Sequence, residues 1–155
     1  VVLTRPTELS WDAADIIEFL EITDITILGS EAAVSVGVEA TVRGLDTRPT
    51  VRRVAGSDRY RTAEAIAKYA FVNPLAAKNF IGVATGLNFP DALAGGVAAG
   101  KRGGILVLTA PEVLSQNWDS YLPNAYGGIK PGIQVYGGSN VVSDNLMKKL
   151  EGLLL

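Results

Sequence analysis

The chain matches itself. Val1-Val2-Leu3-Thr4-Arg5-Pro6 recurs as Leu106-Val107-Leu108-Thr109-Ala110-Pro111 at an offset of 105, and Leu9-Ser10 recurs as Leu114-Ser115. Trp11 then aligns with Trp118, and Ile25-Thr26-Ile27-Leu28-Gly29-Ser30-Glu31-Ala32-Ala33-Val34-Ser35 recurs as Ile133-Gln134-Val135-Tyr136-Gly137-Gly138-Ser139-Asn140-Val141-Val142-Ser143 at an offset of 108. Both copies close on Gly-Leu, at Gly44-Leu45 and Gly152-Leu153. An internal repeat constrains a fold more than local propensity does, because both copies must build one supersecondary unit and bury its apolar face against a neighbour. A period of about 107 residues in a chain of 155 reads as a complete module over residues 49–155, preceded by the second half of another over residues 1–48. Asp46-Thr47-Arg48-Pro49, small, polar and proline-terminated, reads as the linker.

Within the complete module, apolar runs alternate with helical patterns. Val51–Ala55, Asn79–Ala84, Gly104–Leu108 and Gly132–Tyr136 are short, apolar and bounded by Gly, Pro or Asn, which predicts strands. Tyr60–Ala70 places Ala63, Ile66, Ala67 and Ala70 on one helical face. Asp91–Arg102 is so rich in Ala and Gly that it predicts a helix approached closely by another backbone. Pro111–Leu122 and Ser143–Leu150 complete the predicted helices, with Leu146, Met147 and Leu150 facing inward. Strand-helix alternation of this kind predicts an α/β fold of open parallel-sheet, Rossmann-like βα repeats with right-handed crossovers. The half module supplies only two βα units, Val1–Leu20 and Ile25–Leu45. They cannot cover a sheet alone, so they must borrow a neighbour from the full module or from a second copy of the chain.

Composition closes many chemistries. With no His and no Cys there is no imidazole base, no thiol nucleophile, no zinc site of the usual ligands and no disulfide. The 14 Lys plus Arg against 16 Asp plus Glu leave no overall excess of positive charge to mark a nucleic-acid binder. No run reaches the 18 or so apolar residues of a spanning helix. The chain opens on Val1-Val2-Leu3 with neither an initiator Met nor the charged start of a signal peptide, as a piece cut from a longer protein would.

An open parallel sheet invites a nucleotide at its strand carboxyl ends. The first such turn, Val54-Ala55-Gly56-Ser57-Asp58-Arg59, has one glycine where the dinucleotide fingerprint has three, and no Gly-Lys-Ser or Gly-Lys-Thr ends a phosphate loop. The same turn is instead rich in arginine. Arg52, Arg53, Arg59 and Arg61 form a basic edge suited to phosphates or carboxylates of an anionic polymer, and Lys101-Arg102 adds two cations. Competing local roles are a helix cap from Ser57 or Asp58 and ion pairs of Asp58 and Arg59. Pro90 and Asp91 read as the first turn of a helix, with Asp91 at its positive end. Gly137-Gly138 reads as a tight strand-to-helix turn. Trp11 and Trp118 read as core or inter-module packing, with sugar stacking as the alternative.

Arg53-Val54-Ala55-Gly56-Ser57-Asp58-Arg59-Tyr60-Arg61-Thr62-Ala63, Phe89-Pro90-Asp91-Ala92-Leu93-Ala94, Gly104-Ile105-Leu106-Val107-Leu108-Thr109 and Val135-Tyr136-Gly137-Gly138 occur in one order. Together they resemble the bacterial cell wall binding repeat 2 family, over Val51 to about Leu153. The resemblance implies a non-catalytic module without cofactor or metal, used in tandem copies, that holds secreted proteins on the envelope of Gram-positive bacteria through anionic wall polymers. Carried over by motif position are Arg53, Asp58, Arg59, Thr62, Asp91 and the strand Ile105-Leu106-Val107, the last three reading equally well as core. Gly56, Pro90, Gly137 and Gly138 complete the structural motif. The expected partners are the polymer, neighbouring repeats and, through the half module, a second copy, with no nucleic acid and no membrane span. A small-molecule domain for sugar phosphates or nucleotides is the alternative that the fold alone would support.

Overall fold

The computed structural model describes residues 1–114 and 118–154. These divide into two compact units, residues 1–57 and residues 58–155. The first holds helix α1 (Trp11–Phe19), strand β1 (Asp24–Leu28), helix α2 (Val36–Arg43) and strand β2 (Thr50–Val54). β1 and β2 pair in parallel, Asp24 opposite Thr50 and Leu28 opposite Val54. Ile27, Val38, Val42 and Val51 form the core between this pair and α2. The neighbour that residues 1–48 needed is thus β2, which follows the predicted linker and belongs by sequence to the complete module.

The strand predicted at the start of the chain is not formed. Val1 and Leu3 are exposed, and residues 1–5 adopt no regular structure. Their sequence counterpart, Leu106–Leu108, is a strand because it lies against a central partner. Residues 1–20 contain no such partner. A cavity of about 370 Å³, lined by Val1, Leu3, Leu9, Ile25, Ile27 and Val38 among others, lies beside β1 instead.

The second unit holds helix α3 (Arg59–Val72), strand β3 (Phe80–Thr85), helix α4 (Phe89–Lys101), strand β4 (Ile105–Thr109), helix α5 (Trp118–Tyr126), strand β5 (Gly132–Tyr136) and helix α6 (Asp144–Leu154). All three strands are parallel, in the order β4-β3-β5, and central β3 is buried at every position, as a strand covered on both faces must be. Ile81, Val83 and Val107 join Trp118 and Leu122 of α5 and Leu146 and Leu150 of α6 in one core. The other face meets α4. A Cβ at Gly95 would lie 2.6 Å from a ring carbon of Tyr136, so the small residues of α4 admit an aromatic ring and Leu106 rather than another backbone.

The helix predicted from Pro111 starts later. Ala110 N–H donates to the Val113 carbonyl (3.1 Å) in a turn, and Leu114 bridges back to Thr109. Those bonds use the backbone groups that a helix would need. The rest of the predicted start, residues 115–117, lies outside the described residues, and α5 runs on to Tyr126.

The sequence repeat is also a repeat of bonds. Ser35 N–H donates to the Pro6 carbonyl (2.8 Å) and Ser143 N–H to the Pro111 carbonyl (2.9 Å). Ser35 caps α2 by accepting from Val38 N–H (3.3 Å), as Ser143 accepts from Leu146 N–H at the start of α6 (3.2 Å). Gly29 and Gly137 leave β1 and β5 with φ of +118° and +113°, a conformation that a side chain strains.

Candidate functional site

The carboxyl ends of the strands in the second unit are where a Rossmann-like fold holds a nucleotide. The chain fills them with its own side chains. Asp58 caps α3 by accepting from Arg61 N–H (2.8 Å), and this starts the helix so that Arg59 and Tyr60 turn toward the end of β3. Arg59 Nη1 donates to the Gly86 carbonyl (2.8 Å), and a Cβ at Gly86 would lie 2.4 Å from the Tyr60 ring. Pro90 and Asp91 occupy the first turn of α4, and Asp91 Oδ2 stands 2.8 Å from where a Cβ of Gly137 would be. Thr62 is half-buried in α3, its N–H bonded to the Asp58 carbonyl (2.9 Å). Ile105 and Val107 are buried in the core, Leu106 points toward α4, and Gly138 opens the turn into α6 by accepting from Val141 N–H (3.0 Å). Gly56 lies in the loop after β2.

The arginines of the basic edge have partners inside the protein. Arg52 bonds Asp24 across the β1–β2 pair (2.6 Å). Arg53 donates to the Gly29 carbonyl (2.8 Å) and to Glu39 through two nitrogens (2.8 and 3.1 Å), while Arg43 bonds the other oxygen of Glu39 (2.7 Å). Arg61 pairs with Glu64 (3.0 Å), whose carboxylate is buried and also takes Lys68 (2.5 Å). None of these three acids, Asp24, Glu39 and Glu64, was identified from sequence. Arg61, Glu64 and Lys68 stand three and four apart on one helix, a spacing that could have marked Glu64. Glu39 has the same spacing to Arg43, but nothing local links it to Arg53.

The two arginines hold the Glu39 carboxyl below the usual carboxylate range, Arg43 contributing most and Arg53 next. A carboxylate whose folded pKa is lowered stabilises fully above its unfolded pKa of about 4.3, and that stabilisation is lost as pH falls through the folded value. The first unit is therefore expected to loosen in acid below about pH 4. Amide protection factors at Ile27 and Arg52 should fall there in the wild type, and Glu39→Gln should show that lower protection already at neutral pH. Identical exchange profiles for the two proteins would refute the role given to Glu39.

A different set of cations faces solvent. Lys78 precedes β3, Lys101 and Arg102 close α4 ahead of β4, and Lys130 precedes β5; all four are exposed. The three segments converge, because Phe80 is opposite Gly132 and Ile81 opposite Ile105. Backbone bonds tie them further: Gly132 N–H to the Asn79 carbonyl (2.8 Å) and Ala77 N–H to the Gly103 carbonyl (2.5 Å). The Arg102 guanidinium lies 4.5 Å from the centroid of the Phe80 ring. Among the described residues none of these four cations has an ion-pair partner, whereas Lys68 and Lys149 do. Lys101 and Arg102 were singled out in the sequence; Lys78 and Lys130 gain meaning only once three strand starts lie side by side.

Among the described residues no group of three or more Asp or Glu could hold a metal ion, and no helix is long and apolar enough to cross a membrane. Residues 53–147, more than half the chain, match the family described as cell wall binding domain 2 (CWB2). No curated protein sequence matches the chain. Among solved structures, Cwp6 from Clostridium difficile is similar over 96% of this chain and 22% of its own, at 21% identity and a TM-score of 0.84. Cwp8 from Clostridium difficile is similar over 97% of this chain and 24% of its own, at 25% identity and a TM-score of 0.73. The chain thus spans less than a quarter of either protein, and the likeness to Cwp6 is a likeness of fold.

Proposed function

As the chain belongs to the cell wall binding domain 2 family, we propose that it is a non-catalytic module that holds a secreted protein on the cell wall of a Gram-positive bacterium by binding anionic wall polymers. The observation that carries the polymer part of this reading is the exposed cluster of Lys78, Lys101, Arg102 and Lys130 at the amino ends of three adjacent strands. A flexible polyanion needs no deep pocket. It needs cations spaced along a surface, and Arg102, held over the Phe80 ring, offers a planar donor set suited to phosphate or carboxylate. Arg52, Arg53, Arg59 and Arg61 hold the fold together in this reading and meet the polymer at most with donors left over. A sugar-phosphate or nucleotide domain would use the opposite, carboxyl end, where Arg59, Tyr60 and Asp91 already stand, so that reading has less support. In a tandem array each weak surface gains affinity through the effective concentration set by its neighbours.

The test is co-sedimentation of the purified chain with cell walls that retain their anionic polymers, beside walls stripped of them. Binding is expected only to the former. It should fall as salt rises from about 0.1 M to about 1 M, where the screening length shrinks from about 10 Å to about 3 Å. The triple variant K101E/R102E/K130E should bind at least tenfold more weakly, about 1.4 kcal/mol, while remaining folded by circular dichroism at the temperature of the assay. Equal binding to stripped walls, or a triple variant that binds as well as wild type, would overturn the proposal.

A further inference from the structure

β1 and β5 occupy equivalent places in the repeat, and one of them shows what lies beside the other. β1 carries a parallel partner, β2, which enters from the sequence beyond α2, and Gly29 N–H donates to the Val54 carbonyl at the end of that pairing (2.9 Å). β5 is built by the same bonds: the positive-φ glycine at its end, the serine cap of the next helix and the anchoring of that serine to a proline carbonyl all recur. Yet among the described residues β5 pairs only with β3, on one side. Its other edge is a row of backbone donors and acceptors without a ladder.

Crossover handedness says where the next strand goes. α6 lies with α5 on one face of the sheet, through Leu146, Leu150, Trp118 and Leu122, whereas Tyr136 of β5 faces α4 on the other. The step from β3 through α4 to β4 and the step from β4 through α5 to β5 use opposite faces, and right-handed crossovers on those faces give the observed order β4-β3-β5. A right-handed crossover from β5 through α6, on the face of α5, places the following strand outside β5, away from β3. In the first unit α2 covers Ile27, the counterpart of Val135, and β2 follows by the same rule.

We infer that the free edge of β5 is an acceptor for the first strand of another repeat, an extended segment patterned like Thr50–Val54, so that neighbouring modules are stitched by donated strands rather than by surface contact alone. The occupant follows from the fold: the same chain donates such a strand to the equivalent edge once already. The two edges differ in their keys. Asp24 and Glu39, which take Arg52 and Arg53, are replaced at the β5 edge by Gly132 and Met147, and Arg43 is replaced by Glu151. The backbone and the Gly137 carbonyl, counterpart of the Gly29 carbonyl that receives Arg53, are common to both. This inference is independent of which polymer the module binds.

The test appends to Leu155 a second copy of Arg48–Ser57, which restores the repeat spacing, and compares it with the same extension carrying proline at the copies of Arg52 and Val54, the alternate residues whose N–H groups face the partner strand in the β1–β2 pair, so that the ladder cannot be completed. The native extension should slow exchange of the Gly137 amide at least tenfold and raise the melting temperature of the second unit by about 4 °C. Uptake of the strand by a second copy would give concentration-dependent dimers with the same Gly137 protection, and would equally support the acceptor edge. Gly137 exchange and melting that are the same for the native and the proline-bearing extensions would overturn it.

Discussion

Trp118→Ala is expected to destabilise the second unit by about 3–5 kcal/mol, the range for removing a large aromatic from a packed core, while Trp11→Ala should change stability by about 0.5 kcal/mol or less, as surface substitutions do. The two residues align in the repeat, and each is the first residue of its helix. Their surroundings differ completely. Trp118 is 0% exposed, inside the core that Val107, Leu122, Leu146 and Leu150 share, with Tyr121 edge-on at 5.9 Å between ring centroids. Trp11 is 73% exposed. Each unit holds one of the 2 Trp, so either substitution silences the fluorescence of its own unit, and denaturant titrations followed by far-UV circular dichroism read the losses of both variants against the wild type. Equal losses from both substitutions would show that Trp11 is buried in solution and that α1 packs its Trp11 face inward.

That contrast also marks what a sequence can carry. The strand positions of the second unit and the inward faces of α3 and α6 were legible because hydrophobic period and glycine placement are local signals: Leu146 and Leu150 are buried, Met147 is partly so, and Ala67 lies in the core. The fate of Val1–Thr4 and of Trp11 was not, because identical residues form a strand or a core only when a partner strand is present. The partners of the arginine-rich turn were illegible for a similar reason. Four arginines close together in sequence do not say which groups they meet: Arg53 finds Glu39 from another element and Arg59 finds the carbonyl of Gly86. Long-range pairing of this kind leaves no local trace. Conversely, Lys78 and Lys130 lie far apart in the chain, and parallel pairing alone sets the starts of their strands side by side.

Gly104→Ala is expected to be among the most damaging single substitutions in the second unit, costing about 3 kcal/mol or more, at the upper end of overpacking. Gly103, with φ of +69°, ends α4, and Gly104 N–H returns to the Ala99 carbonyl (2.9 Å), so the chain turns from helix to β4 within two residues. The turn sets Gly104 beside Phe80 at the start of β3, where a Cβ would lie 2.4 Å from the Phe80 carbonyl oxygen. That neighbour is backbone, in a strand held on both sides, and it has no rotamer by which to withdraw. Gly95→Ala makes a useful comparison, because there the obstructing atoms belong chiefly to the Tyr136 ring, at 2.6 Å. Shortening that side chain in a Gly95→Ala/Tyr136→Leu double variant should recover part of the loss, whereas Gly104→Ala combined with Phe80→Leu should recover almost none, since the carbonyl stays in place. Thermal melts of the four single and two double variants decide the matter. If Phe80→Leu rescues Gly104→Ala as well as Tyr136→Leu rescues Gly95→Ala, the obstruction at Gly104 is a side chain and the tight passage from α4 into β4 is not what fixes glycine there.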